Sequence, residues 1–169
     1  MPKKALSVSI LFAFVLVTLQ GCYSFTGSSL PVHLKTIAIP VFEDRSGAGI
    51  AQFRGDITGG LSNKIEAQSA LRLTPSMARA DALLEGTITS FSDAPSQLSS
   101  ITERAMTNRV TLVVQVRMVD RVKKIQLFEQ SFVGFSDYRT GRAIAQQEAV
   151  RSCVGQIIDQ IFDKVVSGW

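Results

Sequence analysis

Alternation of apolar and polar side chains predicts four β-strands along the chain. The clearest is "RVTLVVQVRMVD", Arg109 to Asp120, in which every second residue from Val110 to Met118 is apolar. This spacing places one face of the strand on a core and leaves the other largely in water. The other three strands are predicted at residues 35–42, 81–93 and 125–138.

Two segments repeat apolar residues every three or four positions, which predicts amphipathic helices. The first runs from Ile50 to Ser69 and the second from Arg142 to Val166. In the first helix, Gly55, Gly59 and Gly60 each weaken helix formation by about 1 kcal/mol relative to Ala. We interpret these glycines as a sign that the helix packs closely on a sheet.

Polar and turn-forming residues connect the predicted elements. "EDRSGAG", residues 43–49, predicts a loop before the first helix. Residues 94–100 predict a polar turn region, and "RVKK", residues 121–124, predicts a hairpin turn.

The predicted order is therefore β-α-β-β-β-α. The economical fold for this order is an α+β two-layer sandwich, with two helices packed on a four-stranded, mostly antiparallel sheet. The first two strands flank a helix, so they are expected to be parallel through a crossover. Pro40 cannot donate a ladder hydrogen bond, which places it at a sheet edge or a strand end. With no second domain or repeat visible, residues 35–169 are predicted to form a single domain.

The N-terminus has the three parts of a signal peptide. Lys3 and Lys4 are followed by an apolar run from Ala5 to Leu19. At 1.5 Å per residue this run spans about 22 Å, short of the roughly 30 Å hydrocarbon core of a bilayer. The length favours a signal peptide, residues 1–21, over a spanning helix.

The sequence Leu19-Gln20-Gly21-Cys22 resembles a bacterial lipobox, although Gln20 departs from its usual small residue. The resemblance implies cleavage before Cys22 and lipidation of this cysteine, with residues 22–34 as lipid anchor and tether. The alternatives are an ordinary secreted protein or a disulfide with Cys153. Cys153 lies on the apolar stripe of the second helix, where a buried small hydrophobe is the simplest interpretation.

Composition and charge argue against a disordered protein and against a nucleic-acid-binding protein. Hydrophobic residues make up 46% and charged residues 19% of the 169 residues, which is typical of a globular protein. The net charge of +4 includes Lys3 and Lys4, so a chain that starts at Cys22 has 16 basic and 14 acidic residues, or +2. No stripe of basic and aromatic residues is present, so no nucleic-acid partner is predicted.

The sequence offers little that predicts catalysis. Gly47-Ala48-Gly49 lies where a phosphate loop would lie, but Gln52 replaces the next glycine of a dinucleotide fingerprint, and a plain loop is favoured. His33 is the only histidine, which argues against a histidine metal site or a Ser-His-Asp triad. We therefore predict a binding or scaffolding protein with no enzymatic activity, no metal and no cofactor.

Six segments in order resemble one family. They are "GCYSFTGSSLP", "KTIAIPVFEDRS", "ADALLEGTITSFSD", "NRVTLVVQVRMVD", "FEQSFVGFSDY" and "QIIDQIFDKVVSGW". Together they resemble the lipopolysaccharide-assembly lipoprotein family LptE, in its Bacteroidetes/Chlorobi form. The resemblance implies a lipid-anchored protein at the periplasmic face of the outer membrane. It also implies a plug inside the β-barrel LptD that assists lipopolysaccharide insertion into the outer leaflet.

Lipopolysaccharide carries anionic phosphates, so basic side chains at one end of the sheet are its expected contacts. The candidates are Arg104 and Arg109 at the entry to the third strand, and Arg139 and Arg142 before the last helix. The alternative for these arginines is a set of scattered, solvated charges. Lys123 and Lys124, in the opposite turn, are expected to contribute less.

Two functions of other classes remain open from the sequence. One is a periplasmic lipoprotein of similar fold that activates a cell-wall synthase or joins a secretion pore. The other is an enzyme that binds a nucleotide at Gly47–Gly49.

Overall fold

The computed structural model describes residues 30–48, 51–98 and 105–167 and shows an α+β fold with both predicted helices. The strands and helices in chain order are β1 Thr36–Ala38, β2 Glu43–Asp44, α1 Ala51–Gln68, β3 Arg72–Leu73, β4 Ala82–Leu98, β5 Ala105–Asp120, β6 Ile125–Arg139 and α2 Ala143–Ser167. Neither helix is long and apolar enough to cross a membrane within the described ranges.

The sheet has six strands of mixed direction, so the prediction of four strands is wrong. Its order is β3-β1-β4-β5-β6, and β2 pairs with β4 as well. Of the predicted first strand, residues 35–42, only Thr36–Ala38 forms a strand, β1, which ends before Pro40, because proline has no N–H for the ladder. β2 lies in the segment predicted to be a loop, so that prediction is wrong for Glu43 and Asp44. β3 has two residues, too few for any alternation to be visible. The predicted parallel pairing of the first strand with the strand after the helix is confirmed for β1 and β4.

The predicted turn at residues 94–100 is wrong over its described part. β4 continues to Leu98, and Ala94 pairs with Arg109 of β5. β2 stops beside Ile88, so this part of β4 has β5 as its partner and its side chains are mostly exposed. Backbone pairing with a neighbouring strand therefore extends the strand where its side chains show no apolar pattern.

One face of the sheet and both helices share a single hydrophobic core. The alternation in β5 is confirmed, because Val110 to Met118 are buried at every second position. In β6, Phe128 and Phe132 face this core, while Val133 and Phe135 are about half exposed on the open face. The helices bury the predicted stripes: Phe53, Ile57, Leu61 and Ile65 from α1, and Cys153, Val154, Ile157, Ile161 and Val165 from α2.

The glycines of α1 do not pack on the sheet, contrary to our interpretation. A Cβ at Gly55 or Gly59 would meet no atom of another element. A Cβ at Gly60 would lie 2.5 Å from Cδ1 of Ile158, so this glycine allows α1 to approach α2. The close contact is between the two helices.

The outer edge of β6 is covered by glutamines of α2. Gln156 accepts a hydrogen bond from the Phe135 N–H at 3.2 Å and donates to the Phe135 carbonyl at 3.0 Å. Gln160 donates to the Val133 carbonyl at 3.0 Å. Satisfied backbone groups at a sheet edge oppose pairing with another chain.

Candidate functional site

The two ends of the sheet carry different groups. At the entry end, the chain enters β1 next to the start of β4 and the turn between β5 and β6. At the far end, Thr107 of β5 pairs with Arg139 of β6, and α2 begins shortly after.

Three of the four predicted arginines share the far end. Arg109 and Arg139 lie on neighbouring strands, because Arg109 pairs with Asp137, two residues before Arg139. Arg142 immediately precedes α2. Arg104 lies outside the described residues, and Lys123 and Lys124 lie in the turn at the entry end.

Arg109 is committed to contacts within the protein. Its Nε and Nη2 donate to the two carboxylate oxygens of Asp137 at 2.8 and 2.9 Å. Its guanidinium also lies 5.0 Å from the ring centroid of Phe135. The hydrogen bond from Arg109 lowers the pKa of Asp137, which holds the carboxylate in its charged form. Arg109 therefore contributes less free positive charge than the sequence suggested.

Arg139 and Arg142 are different, because both are exposed and neither has an acidic partner among the described residues. Two apolar side chains are exposed in the same elements: Phe135 on the open face of β6, beside Arg109, and Ile144 in the first turn of α2. The far end thus presents two free cations beside exposed apolar surface. This combination suits an amphiphile, because the cations can bind its anionic groups and the apolar side chains can contact its hydrocarbon chains.

A polar network that the sequence analysis missed joins the elements beneath these arginines. The Asp93 carboxylate accepts hydrogen bonds from Tyr138 at 2.6 Å, from Gln146 at 2.7 Å and from Asn108 at 3.0 Å. Burial opposes ionisation of Asp93, but these three hydrogen bonds outweigh it and lower its pKa. The pKa of Tyr138 is raised, first by burial and then by its hydrogen bond to Asp93. The network connects β4, β5, β6 and α2. It could not be predicted from the sequence, because its residues are far apart along the chain.

A surface pocket adjoins this network and is lined by Asn108, Tyr138, Gly141, Arg142 and Gln146, among others. Gly141 has φ +86°, a left-handed conformation suited to glycine in the short link to α2. The Oδ1 atom of Asn108 is buried and has no hydrogen-bond partner in the described part of the chain. Of the two arginines without an acidic partner, Arg142 lines this pocket.

The remaining candidates that the structure describes form no catalytic or binding site. The described part of the glycine loop is held by Asp44, which accepts from both the hydroxyl and the backbone N–H of Ser46, so the pKa of Asp44 is lowered. Burial raises the pKa of the Cys153 thiol, as expected of a small apolar core residue.

Cys22 and Gly49 lie outside the described residues. Within the described ranges, no group of three His, Cys, Asp or Glu side chains is arranged to hold a metal.

His33 has a structural partner that the sequence did not reveal. Its Nε2 lies 2.5 Å from Oδ2 of Asp120, the last residue of β5. The same carboxylate accepts the backbone N–H of Lys123 at 2.9 Å. The pair therefore connects the segment before β1 to the turn between β5 and β6.

Comparison with known proteins identifies the family. Residues 34–165 match the family LptE, described as lipopolysaccharide-assembly. No curated protein matches the chain.

Solved structures with the same fold are distant in sequence. Protein XCC0632 from Xanthomonas campestris aligns with a TM-score of 0.59 and 8% identity, over 80% of this chain and 86% of that one. Lipoprotein B from Nitrosomonas europaea aligns with a TM-score of 0.55 and 14% identity, over 82% and 85%. Protein CT253 from Chlamydia trachomatis aligns with a TM-score of 0.53 and 13% identity, over 78% and 93%. At these identities the similarity shows the fold alone.

The family match covers most of the chain and includes every described strand and both helices, with the last helix matched to within two residues of its end. The protein therefore belongs to the LptE family, which supports a role in lipopolysaccharide assembly.

Proposed function

We propose that the protein is anchored by lipid to the periplasmic face of the outer membrane, where it plugs and stabilises an LptD-type β-barrel. In this position it assists the transfer of lipopolysaccharide into the outer leaflet. The observation that carries the proposal is the family match over residues 34–165 of a chain that also has a lipobox-like sequence at Leu19–Cys22. Membership of the Bacteroidetes/Chlorobi form of the family stays a prediction.

The proposed anchor is the Cys22 sulfur and the new N-terminal amine. In this proposal residues 1–21 are removed, residues 22–34 form the anchor and tether, and residues 35–169 form the domain. Each buried CH₂ contributes about 0.8 kcal/mol, so one acyl chain anchors marginally and two or three anchor firmly. Replacement of Cys22 by Ser therefore tests the anchor, and the variant should leave the membrane fraction.

The proposed lipopolysaccharide contact is the far end of the sheet. Arg139 and Arg142 supply free cations for phosphate, and exposed Phe135 and Ile144 supply apolar surface for acyl chains. Arg109 supports this end through its ion pair with Asp137. The sequence-based assignment of Arg104 remains a proposal as well.

Purification from membranes with native partners tests the complex. Co-purification of an LptD-type barrel is the expected result, since a plug is held by the barrel wall. A clean preparation that contains a cell-wall synthase and no barrel protein would contradict the proposal and favour the alternative role.

Replacement of both free arginines, Arg139→Gln and Arg142→Gln, should weaken binding of purified lipopolysaccharide and leave barrel association unchanged. Each cation near an anionic lipid surface contributes about 1 kcal/mol, so the loss should be roughly 30-fold. The matched control is Lys123→Gln with Lys124→Gln, which removes the same charge at the entry end and should change binding little. Equal effects of the two variants would remove the assignment of the site to the far end.

A further inference from the structure

The entry end of the sheet carries a set of cations that the lipopolysaccharide site does not use. Lys123 and Lys124 form the tip of the β5–β6 turn, next to Arg121, and Lys35 lies just before β1. None of these four has an acidic side-chain partner in the described part of the chain. The carboxylates near them are occupied, since Asp81 accepts the backbone N–H groups of Lys35 and Thr36.

Exposed apolar side chains accompany these cations. Val32 is 93% exposed, Val122 is 58% exposed and Ile125 is 49% exposed. Cations mixed with protruding apolar side chains are typical of surfaces that lie at the headgroup level of a bilayer.

A single buried carboxylate holds both parts of this surface. Asp120, whose side chain is 1% exposed, contacts His33 in the segment that enters the domain. It also accepts the backbone N–H of Lys123 in the turn. Lys124 completes the turn with φ 58°. The basic turn and the point of chain entry are therefore fixed relative to each other, and a membrane that holds one also positions the other.

The length of the preceding chain limits how far this surface can lie from the proposed anchor. Eight peptide steps separate Cys22 from Leu30, the first described residue. At 3.5 Å per residue they reach at most about 28 Å. The entry end is thus the part of the described domain that the tether keeps closest to the lipid.

We propose that the entry end is a membrane-contact surface. Lys35, Arg121, Lys123 and Lys124 meet anionic phospholipid headgroups, and Val32, Val122 and Ile125 enter the interface between them. The occupant is the leaflet that holds the anchor, because chain length brings that leaflet within reach and its anionic headgroups complement the four cations. The inference rests on the proposed lipidation of Cys22, and it orients the sheet with its far end directed away from that leaflet.

The test uses the lipidated protein in vesicles of phosphatidylethanolamine, with or without phosphatidylglycerol, and a fluorophore on Val122→Cys. Cys153 is buried and does not compete for the label in the folded protein. Quenching of the fluorophore by quencher-labelled lipid is expected with phosphatidylglycerol present. Lys123→Gln with Lys124→Gln should weaken this contact about fivefold for each lysine removed. Val133→Cys, an exposed apolar position in the middle of β6 and eight residues from Ile125, is the matched label site and should show no such quenching.

The dependence on salt concentration separates the proposed headgroup contact from the lipid anchor at Cys22, on which the inference rests. High salt screens the headgroup contact, so quenching at position 122 should fall while the acylated protein stays with the vesicles. Loss of the protein from vesicles at high salt, with low-salt quenching intact, would contradict the anchor and support the surface. Equal quenching at positions 122 and 133, or quenching that does not depend on phosphatidylglycerol or on the two lysines, would overturn the proposal.

Discussion

Gly134→Ala should lower the free energy of unfolding by about 3 kcal/mol, at the upper end of the usual cost of overpacking. A Cβ at this position in β6 would lie 2.5 Å from the backbone carbonyl oxygen of Cys153 and 3.1 Å from Cγ1 of Ile157. The carbonyl belongs to the middle of α2, so it cannot rotate away as a side-chain end could. The whole helix would have to move off β6, and the hydrogen bonds of Gln156 to Phe135 would lengthen with it.

Urea denaturation of the purified domain measures this effect. The matched control is Gly55→Ala, because a Cβ there meets nothing and lies on the exposed side of α1. This change should raise the free energy of unfolding by about 0.5–1 kcal/mol through helix propensity alone. If Gly134→Ala were as stable as the unchanged protein, the close approach of α2 to β6 would be wrong.

Asp120→Ala should lower the free energy of unfolding by about 2 kcal/mol, as expected when a buried acceptor is removed and its part-buried donors lose their partner. The variant leaves the ring of His33 without its partner and the backbone N–H of Lys123 without its acceptor. The matched control is Asp56→Asn, an exposed carboxylate of α1 with no hydrogen-bond partner among the described residues, and its effect should be small. Stability of Asp120→Ala equal to that of this control would contradict the role of the pair.

The same carboxylate predicts a pH dependence. Burial alone would raise the pKa of Asp120, but hydrogen bonds from the Lys123 backbone and from His33 outweigh it, so the pKa is lowered. A lowered pKa in the folded state stabilises the protein above the pKa of the unfolded chain, about 3.9, and this stability is lost as the pH falls below that value. Asp120→Asn should therefore flatten the fall in stability below about pH 4. Part of the slope should remain, since the pKa values of Asp81 and Asp93 are also lowered.

The strands and helices with strong side-chain patterns were predictable because their patterns are local. The buried alternation of β5 and the apolar stripe of α2 were visible in the sequence and are confirmed. β3 was missed, because two residues are held in the sheet by pairing with Thr36 and Ile37 and not by a pattern of their own. β4 was predicted too short, since its last residues are polar and depend on β5 for their backbone partners.

The candidate site was only partly predictable for a similar reason. The hairpin made it possible to expect Arg109 and Arg139 at one end of the sheet, and the strand register places them there. Which of these arginines is already paired with an acidic residue could not be predicted from the sequence, because the ion pair of Arg109 with Asp137 depends on which residues face each other across two strands. The network around Asp93 likewise joins residues that are far apart along the chain.

The sequence by itself determined the α+β class, both helices, the core faces of the long strands and the resemblance to the LptE family. These properties follow from periodic burial and from ordered motifs, which are written in consecutive residues. Three properties were decided by the tertiary structure alone. They are which cations have no acidic partner, which glycine allows α2 to pack closely on β6, and which carboxylate joins the entry segment to the β5–β6 turn. Gly134 and Asp120 look ordinary in the sequence, because their importance comes from Cys153 and His33, which the fold brings to them.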